Sequence, residues 1–294
     1  MNEYPLSQDL KSIREILGLS QAELAAELGI KQETVSRSEG GQTKPSRELL
    51  EKVYGFAFRR NIRLNRLKEM FWKESIAEGH QLLFHGAKTR IDGPVNIHSG
   101  RANTDFGQGF YAGETYEQAV SFVAGFDRPS VYFLDFDGAG LNSLRFSVNQ
   151  DWMMTIAFFR GALNQYKAHP MIQSYAEKVR QCDYVIAPIA DNRMFQIIDS
   201  FINGEITDEQ CNHCLAATNL GNQYVMVSEQ AAARIRLIER CYVSENEKAY
   251  YSRIRSSEAK LGEDKVKMAR IRFRGKGRYI DEILAREDGT DGSV

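Results

Sequence analysis

The spacing of apolar residues changes once along this chain, near residue 80, and that change limits the folds it can adopt. Over residues 7–75, apolar side chains recur every three or four positions, which predicts one helix after another. From Leu82 onward, short β-rich runs such as LLFH, SVYFLDF, DYVIAPI and QYVMV alternate with Gly, Asn and Asp turns and with helical stretches. The predicted segments are an all-α domain with a linker helix over 1–75, an α+β domain over 80–243, and a charged helical extension with a disordered tail over 244–294.

Composition narrows the classes of function. The chain has 38 basic and 39 acidic residues and a net charge of -1, so any contact with nucleic acid needs a local patch. We find no apolar run long enough to span a membrane and no signal peptide, and therefore expect a cytoplasmic protein that does not contact membranes. The four cysteines are expected to be reduced thiols. Cys211 and Cys214 have a metal-like spacing but no second pair, so we expect no metal site.

The segment LSQAELAAELGIKQETVSRSEGGQTKPS carries the signals of two helices joined by a tight turn. Ser20 and Glu23 have the spacing of a capping box at the start of the first helix, and Gly29 ends that helix. The second helix is predicted to open around Gln32 and to run to Glu39. This arrangement is typical of a DNA-reading unit.

The segment resembles the lambda-repressor-like helix-turn-helix family over residues 6–58. The resemblance implies DNA contact through residues 20–45, with the second helix in the major groove, and a homodimer on paired half-sites. The predicted base-facing residues are Gln32, Glu33, Thr34, Ser36 and Arg37, and those near phosphates are Gln21 and Lys44. The predicted core contains Ala22, Leu24, Ala25, Val35 and Leu49. A helical protein-binding or dimerisation module remains the alternative, because residues 1–75 hold only 13 basic against 11 acidic side chains.

A second motif, 104-TDFGQGFYAGETYEQAVSFV-123, places glycines and aromatics in a turn before a helical pattern that begins at Tyr116. The strand LLFHGA precedes it and carries His85 and then Gly86, where the missing side chain would let a ligand lie against the backbone. DYVIAPIADNR and NQYVMVSEQAA follow in order. These motifs resemble ADP-ribosyltransferases of the histidine-tyrosine-glutamate class, and more closely a bacterial family of ADP-ribosyltransferase-like domains. The resemblance implies split mixed and antiparallel sheets with flanking helices.

The resemblance also implies NAD as substrate, without a metal. His85 would bind the adenosine-side ribose and Gly86 the nicotinamide carboxamide, while Tyr111 and Phe122 would stack on the nicotinamide ring. Gln223 stands where the family has its catalytic glutamate; it can hydrogen-bond a ribose hydroxyl but cannot act as a general base. The catalytic candidates are His85, Tyr111 and Gln223. The remaining candidates for NAD binding are Arg101, Asp105, Gly107 and Gly109.

Two other segments leave alternatives open. Asp191 and Arg193 could form a structural ion pair or touch substrate. Seven basic residues and no acidic one lie between Lys265 and Arg278. This segment could contact nucleic acid, the pyrophosphate of NAD or an acidic partner, or it could be a solvated terminal strand.

The two resemblances together predict a mono-ADP-ribosyltransferase that modifies a protein or nucleic acid. We expect the protein to act as a toxin or anti-phage effector and to have an antitoxin or trigger protein as partner. The helix-turn-helix module would serve DNA binding or autoregulation. Because Gln223 lacks a charge, a second hypothesis stays open: a transcription regulator whose C-terminal domain senses NAD or ADP-ribose without catalysis. A third is NAD hydrolysis without any acceptor.

Overall fold

The structure, a computed structural model, describes residues 2–42, 44–217 and 220–287. The elements follow along the chain as β1 (Asn2–Glu3), α1 (Leu6–Leu17), α2 (Gln21–Leu28), α3 (Gln32–Glu39), α4 (Arg47–Arg59), α5 (Leu64–Ser75), β2 (Gln81–Ala87), β3 (Phe110–Gly113), α6 (Tyr116–Val123), β4 (Ser130–Phe136), β5 (Ser143–Arg145), α7 (Gln150–Phe159), α8 (Pro170–Arg180), β6 (Tyr184–Pro188), α9 (Asn192–Ile202), α10 (Asp208–Ala216), β7 (Asn222–Met226), α11 (Glu229–Ala233), β8 (Ile235–Tyr242), α12 (Glu245–Arg272) and α13 (Ile280–Glu287).

These elements belong to two compact units, each built from separate stretches of the chain. The first unit draws its described residues from Met1–Asp92, Thr115–Asp137 and Arg236–Arg255. The second draws them from Gly93–Glu114, Gly138–Ile235 and Ser256–Val294. Each unit therefore depends on contacts between residues that are far apart in the sequence.

The helix-turn-helix in the first unit has the predicted helices. In the capping box of α2, the Glu23 N–H donates to Ser20 Oγ at 3.2 Å and the Ser20 N–H donates to Glu23 Oε2 at 2.8 Å. Helix α3 spans the predicted residues. The prediction that Ala22 lies in the core is wrong: Ala22 is exposed, because the buried residues of α2 lie on its other face. Leu49 is only partly buried, while Leu50 next to it lies in the core.

The first unit also contains sheet strands that lie in the order β1-β8-β4-β2. Strand β1 runs parallel to β8, and β2 runs antiparallel to β4, all seven residues of which are buried. The helical module is attached to this sheet by a buried ion cluster. Lys68 of α5 lies 2.6 Å from Asp9 of α1 and 2.7 Å from Glu239 of β8.

A second buried polar cluster in this unit joins α5, α6 and α12. The Tyr116 hydroxyl donates to Glu247 Oε1 at 2.9 Å, and Asn65 Nδ2 donates to the Tyr116 hydroxyl at 2.8 Å. Desolvation raises the pKa of the Glu247 carboxyl from 4.5 to about 7. Since the acid form needs no compensating cation, this site tolerates the carboxyl best when it is protonated.

The second unit contains sheet strands that lie in the order β3-β7-β6-β5, with mixed directions. Strand β7 pairs antiparallel with both β3 and β6, and β5 runs parallel to β6. Helix α7 supplies a fully buried stretch that includes Trp152, Met153 and Met154. Helix α13 adds Ile280, Ile283 and Leu284 to the same core. The N-terminal helical region is thus followed by an α+β arrangement, as the sequence predicts.

The basic segment near the C-terminus is not a strand. Helix α12 continues to Arg272, so the terminal-strand alternative is wrong. Met268 and Ile271 of this segment are exposed, whereas Val266 and Ala269 are partly buried against the core of the second unit. Beyond the helix, the chain docks on α10: Asp208 N–H donates to the Arg278 carbonyl at 2.9 Å, and Arg278 N–H donates to Asp208 Oδ1 at 2.7 Å. The tail over 288–294, predicted to be disordered, lies outside the described residues.

Candidate functional site

The segment 104-TDFGQGFY-111 in the second unit forms a turn that closes on the hydroxyl of Tyr111. This hydroxyl accepts from the Phe106 N–H at 3.0 Å, donates to the Gly107 carbonyl at 2.8 Å, and lies 2.6 Å from the Thr104 hydroxyl. Burial raises the pKa of the Tyr111 phenol, so the group stays protonated at neutral pH. The hydroxyl is thus used within the turn, and the partly buried side chain of Tyr111 packs against the apolar core of the second unit.

Two glycines of this turn are explained by packing. Gly107 has a φ of +77°, and a Cβ built there would lie 2.9 Å from the Phe159 ring. A Cβ at Gly109 would lie 2.8 Å from the Met226 carbonyl oxygen of β7. Both positions therefore require glycine for the fold, whether or not a ligand is bound.

A buried carboxylate lies at the centre of the candidate site. Asp105, which is 5% exposed, accepts from Gln223 Nε2 at 2.7 Å through Oδ2. Its other oxygen, Oδ1, accepts from Arg160 Nε at 2.8 Å and from Arg160 Nη2 at 2.5 Å. A buried carboxylate needs such partners, because removing one of them leaves an uncompensated charge in a poorly solvated position.

Arg160 extends the network to the loop that follows β6. Its Nη2 also donates to the Ala190 carbonyl oxygen at 2.7 Å, and its guanidinium lies 4.7 Å from the centre of the Phe195 ring. Arg160, which follows the apolar helix α7, was not among the predicted site residues. An arginine at the end of such an apolar helix was a sequence signal for a buried carboxylate partner.

Gln223 has a fixed orientation on β7. The strand lies between β3 and β6, where Gln223 is opposite Gly113 and Ala187. Its Nε2 donates to Asp105 at 2.7 Å and to the Pro188 carbonyl oxygen at 3.3 Å. Both N–H groups of the amide are thereby directed into the protein, and the amide oxygen is the other polar atom of a side chain whose residue is 7% exposed.

Family models match both parts of the chain. A helix-turn-helix model matches residues 10–53. A model described as a protein of unknown function, DUF3990, matches residues 81–237, which is just over half of the chain. The chain belongs to the DUF3990 family. No curated protein matches the chain, and no solved structure does either.

Three of the predicted residues of the DUF3990 domain lie in the first unit. A Cβ at Gly86 would lie 2.5 Å from the Ala119 carbonyl oxygen and 2.7 Å from Val123 Cγ1, so α6 fills the space expected for a ligand. His85 is half-buried on β2, opposite Tyr132. Phe122 of α6 is 66% exposed, so it is not a core residue.

The other predicted residues lie in the second unit, where the structure brings Asp105 and Gln223 into contact and leaves Arg101 exposed. Asp191 caps α9 by accepting from the Arg193 and Met194 N–H groups at 3.0 and 2.9 Å. It also pairs with the Arg193 guanidinium at 2.7 Å, which confirms the structural ion pair. Contact of these two residues with substrate stays a prediction.

The DNA face of the helix-turn-helix is mostly open. Gln32, Glu33, Ser36, Arg37 and Lys44 are exposed, while Thr34 and Gln21 are partly buried. Arg37 pairs with Glu33 at 2.6 Å, which offsets the charge that it would offer to a phosphate. Gln21 Nε2 donates to Glu39 Oε2 at 2.8 Å, so this amide orders the module internally.

The cysteine pair of α10 is part of the core. Cys211 and Cys214 are fully buried, and desolvation raises the pKa of both thiols. The intervening His213 stacks on Phe273 at 3.5 Å between ring centres. Among the residues that the structure describes, no three His, Cys, Asp or Glu side chains are grouped to hold a metal ion. Within the same residues, no helix combines the length and apolarity needed to cross a membrane.

Proposed function

We propose that the DUF3990 domain binds NAD and transfers its ADP-ribose once to a macromolecule, and that the helix-turn-helix module binds DNA. The observation that carries this proposal is the orientation of Gln223. With Nε2 bound to Asp105 and Pro188, the amide oxygen is the acceptor available for the 2'-hydroxyl of a ribose. The ring of Tyr111, two residues along β3 from the partner of Gln223, is assigned to the nicotinamide face.

The chemistry of a single transfer suits an amide at this position. The bond between nicotinamide and the ribose C1' breaks, nicotinamide leaves with the electron pair, and a nucleophile of the acceptor forms the new bond to C1'. The acceptor's proton passes to its own base or to water, because Gln223 cannot take it. The neutral Gln223 amide stabilises the oxocarbenium-like state less than a charged glutamate would. The acceptor must therefore be a reactive nucleophile.

The remaining roles follow the resemblance to histidine-tyrosine-glutamate transferases. His85 is assigned to the adenosine-side ribose, and the exposed ring of Phe122 is assigned to nicotinamide. Arg101 is assigned to the pyrophosphate or adenine. We further propose that the acceptor is a protein or nucleic acid, that the chain is a homodimeric toxin or anti-phage effector, and that an antitoxin or trigger protein controls it.

A second candidate function is a transcription regulator that senses NAD or ADP-ribose without catalysis. The contact between Gln223 and Asp105 favours this sensor, because the Asp105 carboxylate accepts a hydrogen bond from the Gln223 amide at 2.7 Å. A glutamate in the same place would face another carboxylate. The site is therefore built around a neutral side chain, which is sufficient for binding a ribose.

Incubation of the full chain with adenine-labelled NAD and whole-cell lysate distinguishes these functions. We expect label in a protein, RNA or DNA fraction, and loss of that label in the His85→Ala and Tyr111→Ala variants. Tyr279→Ala is the matched control, because this tyrosine is 42% exposed and lies outside the candidate site. Circular dichroism would verify that each variant is folded.

The other outcomes are equally informative. NAD binding by calorimetry without any label would favour the sensor. Free ADP-ribose as the only product would favour NAD hydrolysis. No NAD binding by the wild-type chain would refute the transferase, and binding of neither NAD nor ADP-ribose would also refute the sensor.

A further inference from the structure

A cavity of about 310 Å³ lies in the first unit, beside the start of α4 and the loop that precedes β4. Its walls come from the helix-turn-helix module and from the sheet of the same unit. None of the residues assigned above to NAD lines it. A ligand pocket here would therefore be separate from the proposed NAD site.

The lining carries an excess of positive charge. It contains four basic side chains, Lys44, Arg47, Arg128 and Arg240, and two acidic ones, Glu3 and Asp127. Arg240 Nη1 pairs with Glu3 Oε1 at 2.7 Å, and Arg128 Nε lies 3.3 Å from Asp127 Oδ2. The two carboxylates are thus matched by two of the four cations.

Lys44 and Arg47 are the cations in excess. Lys44 is exposed, and the Arg47 guanidinium, which is 44% exposed, donates to the Asp127 carbonyl at 3.3 Å. The Glu245 carboxylate is 4.0 Å from Arg47, which is too long for a hydrogen-bonded pair, and the Arg47 side chain also hydrogen-bonds the Tyr242 hydroxyl. A phosphate in the cavity would meet two cations, and an arginine can bind it through two N–H groups.

Apolar and aromatic surfaces complete the walls. Tyr4 and Tyr242 meet edge to face with 5.8 Å between ring centres, and both line the cavity with Pro45 and Pro129. Arg240 lies 4.6 Å from the centre of the Tyr4 ring and Tyr242 is 7% exposed, so a planar apolar group next to the anion would contact the tyrosine edges and the prolines. A volume of about 310 Å³ is near the lower limit of small-molecule pockets, roughly 300 Å³, which fits a mononucleotide better than a dinucleotide such as NAD.

We propose that this cavity binds a small phosphomonoester that carries an aromatic base, with Arg47 and Lys44 holding its phosphate. The site goes beyond the proposed function, because neither the DUF3990 match nor the resemblance to transferases assigns a ligand to this face. Since Lys44 also belongs to the predicted DNA surface, bound ligand and DNA would share one cation.

Calorimetry of the full chain with AMP tests the proposal. We expect AMP to bind, Arg47→Gln and Lys44→Gln each to weaken it about tenfold, and Lys52→Gln to change it less than twofold. Lys52 is a matched control because it lies on the same helix, pairs with Glu48 at 3.2 Å and does not line the cavity. Inorganic phosphate should bind more weakly than AMP, since it lacks the ring that the tyrosines and prolines would contact.

Four results would overturn the proposal. The first is that AMP does not bind at millimolar concentration. The second is that Arg47→Gln and Lys52→Gln weaken AMP binding equally, and the third is that inorganic phosphate binds as tightly as AMP. The fourth is AMP binding that survives Arg47→Gln and disappears with Tyr111→Ala, which would assign AMP to the proposed NAD site. If AMP fails to bind while Arg47→Gln weakens binding of duplex DNA, the basic residues belong to the DNA surface instead.

Discussion

Replacing Gln223 with glutamate should destabilise the second unit, and the loss should depend on pH. Gln223 Nε2 lies 2.7 Å from Asp105 Oδ2, so the substitution brings two carboxylates into contact. At that distance, two unit charges repel by about 6 kcal/mol at an effective dielectric constant of about 20. Taking up a proton at pH 7 costs a glutamate with an ordinary pKa of about 4.3 only about 3.7 kcal/mol. The introduced glutamate should therefore be protonated and should donate to Asp105.

The sign of the pH dependence follows from this raised pKa. The folded state binds a proton that the unfolded state releases above about pH 4.3, so the stability of Gln223→Glu falls relative to wild type as pH rises. We expect a loss of about 1 kcal/mol at pH 5 and of about 3 to 4 kcal/mol at pH 7. Urea unfolding of both proteins at the two pH values measures it.

The double variant Asp105→Asn with Gln223→Glu is the control, because it restores an amide donor opposite a carboxylate. It should recover at least half of the lost stability at pH 7. A Gln223→Glu protein as stable as wild type at both pH values would refute the reasoning. The double variant is also the fairer test of latent catalysis: gain of NAD hydrolysis would favour a transferase ancestry of the site, whereas none would favour the sensor.

Three further predictions concern the first unit. Gly86→Ala should destabilise it by about 1 to 3 kcal/mol, because the new methyl group would overlap α6, whereas Gly125→Ala, with open space at the Cβ, should be close to neutral in thermal unfolding. Because the pKa of Glu247 is raised to about 7, the free energy of unfolding should fall by about 3 kcal/mol as pH rises from 4.5 through 7. Glu247→Gln should abolish this part of the pH dependence in urea unfolding, and an unchanged pH profile would contradict the prediction. Glu33→Gln should strengthen binding to a random DNA duplex and steepen its salt dependence, because the paired Arg37 is released, while Glu48→Gln on α4 should have a smaller effect in fluorescence anisotropy. Equal effects of the two substitutions would argue against DNA contact by α3.

The sequence by itself determined the helix-turn-helix. Its signals lie within a few residues of one another: the Ser20 and Glu23 capping box, the Gly29 that ends α2, and the apolar spacing of the helices. Local hydrogen bonds and helix periodicity act at this range, so a single sequence suffices to read them. The strands of the DUF3990 domain were predicted for the same reason, since their β-rich runs are bounded by turn residues.

Only the tertiary structure decided which residues form the candidate site. Asp105 meets Arg160 across 55 positions and Gln223 across 118 positions of the chain, and no local pattern encodes those pairs. Likewise, Gly86 proved necessary for the close approach of α6, although the sequence suggested room for a ligand. Such contacts depend on strand register and on helix packing, which involve the whole chain. Residue type restricts what a buried group requires, but the fold selects the partner that supplies it.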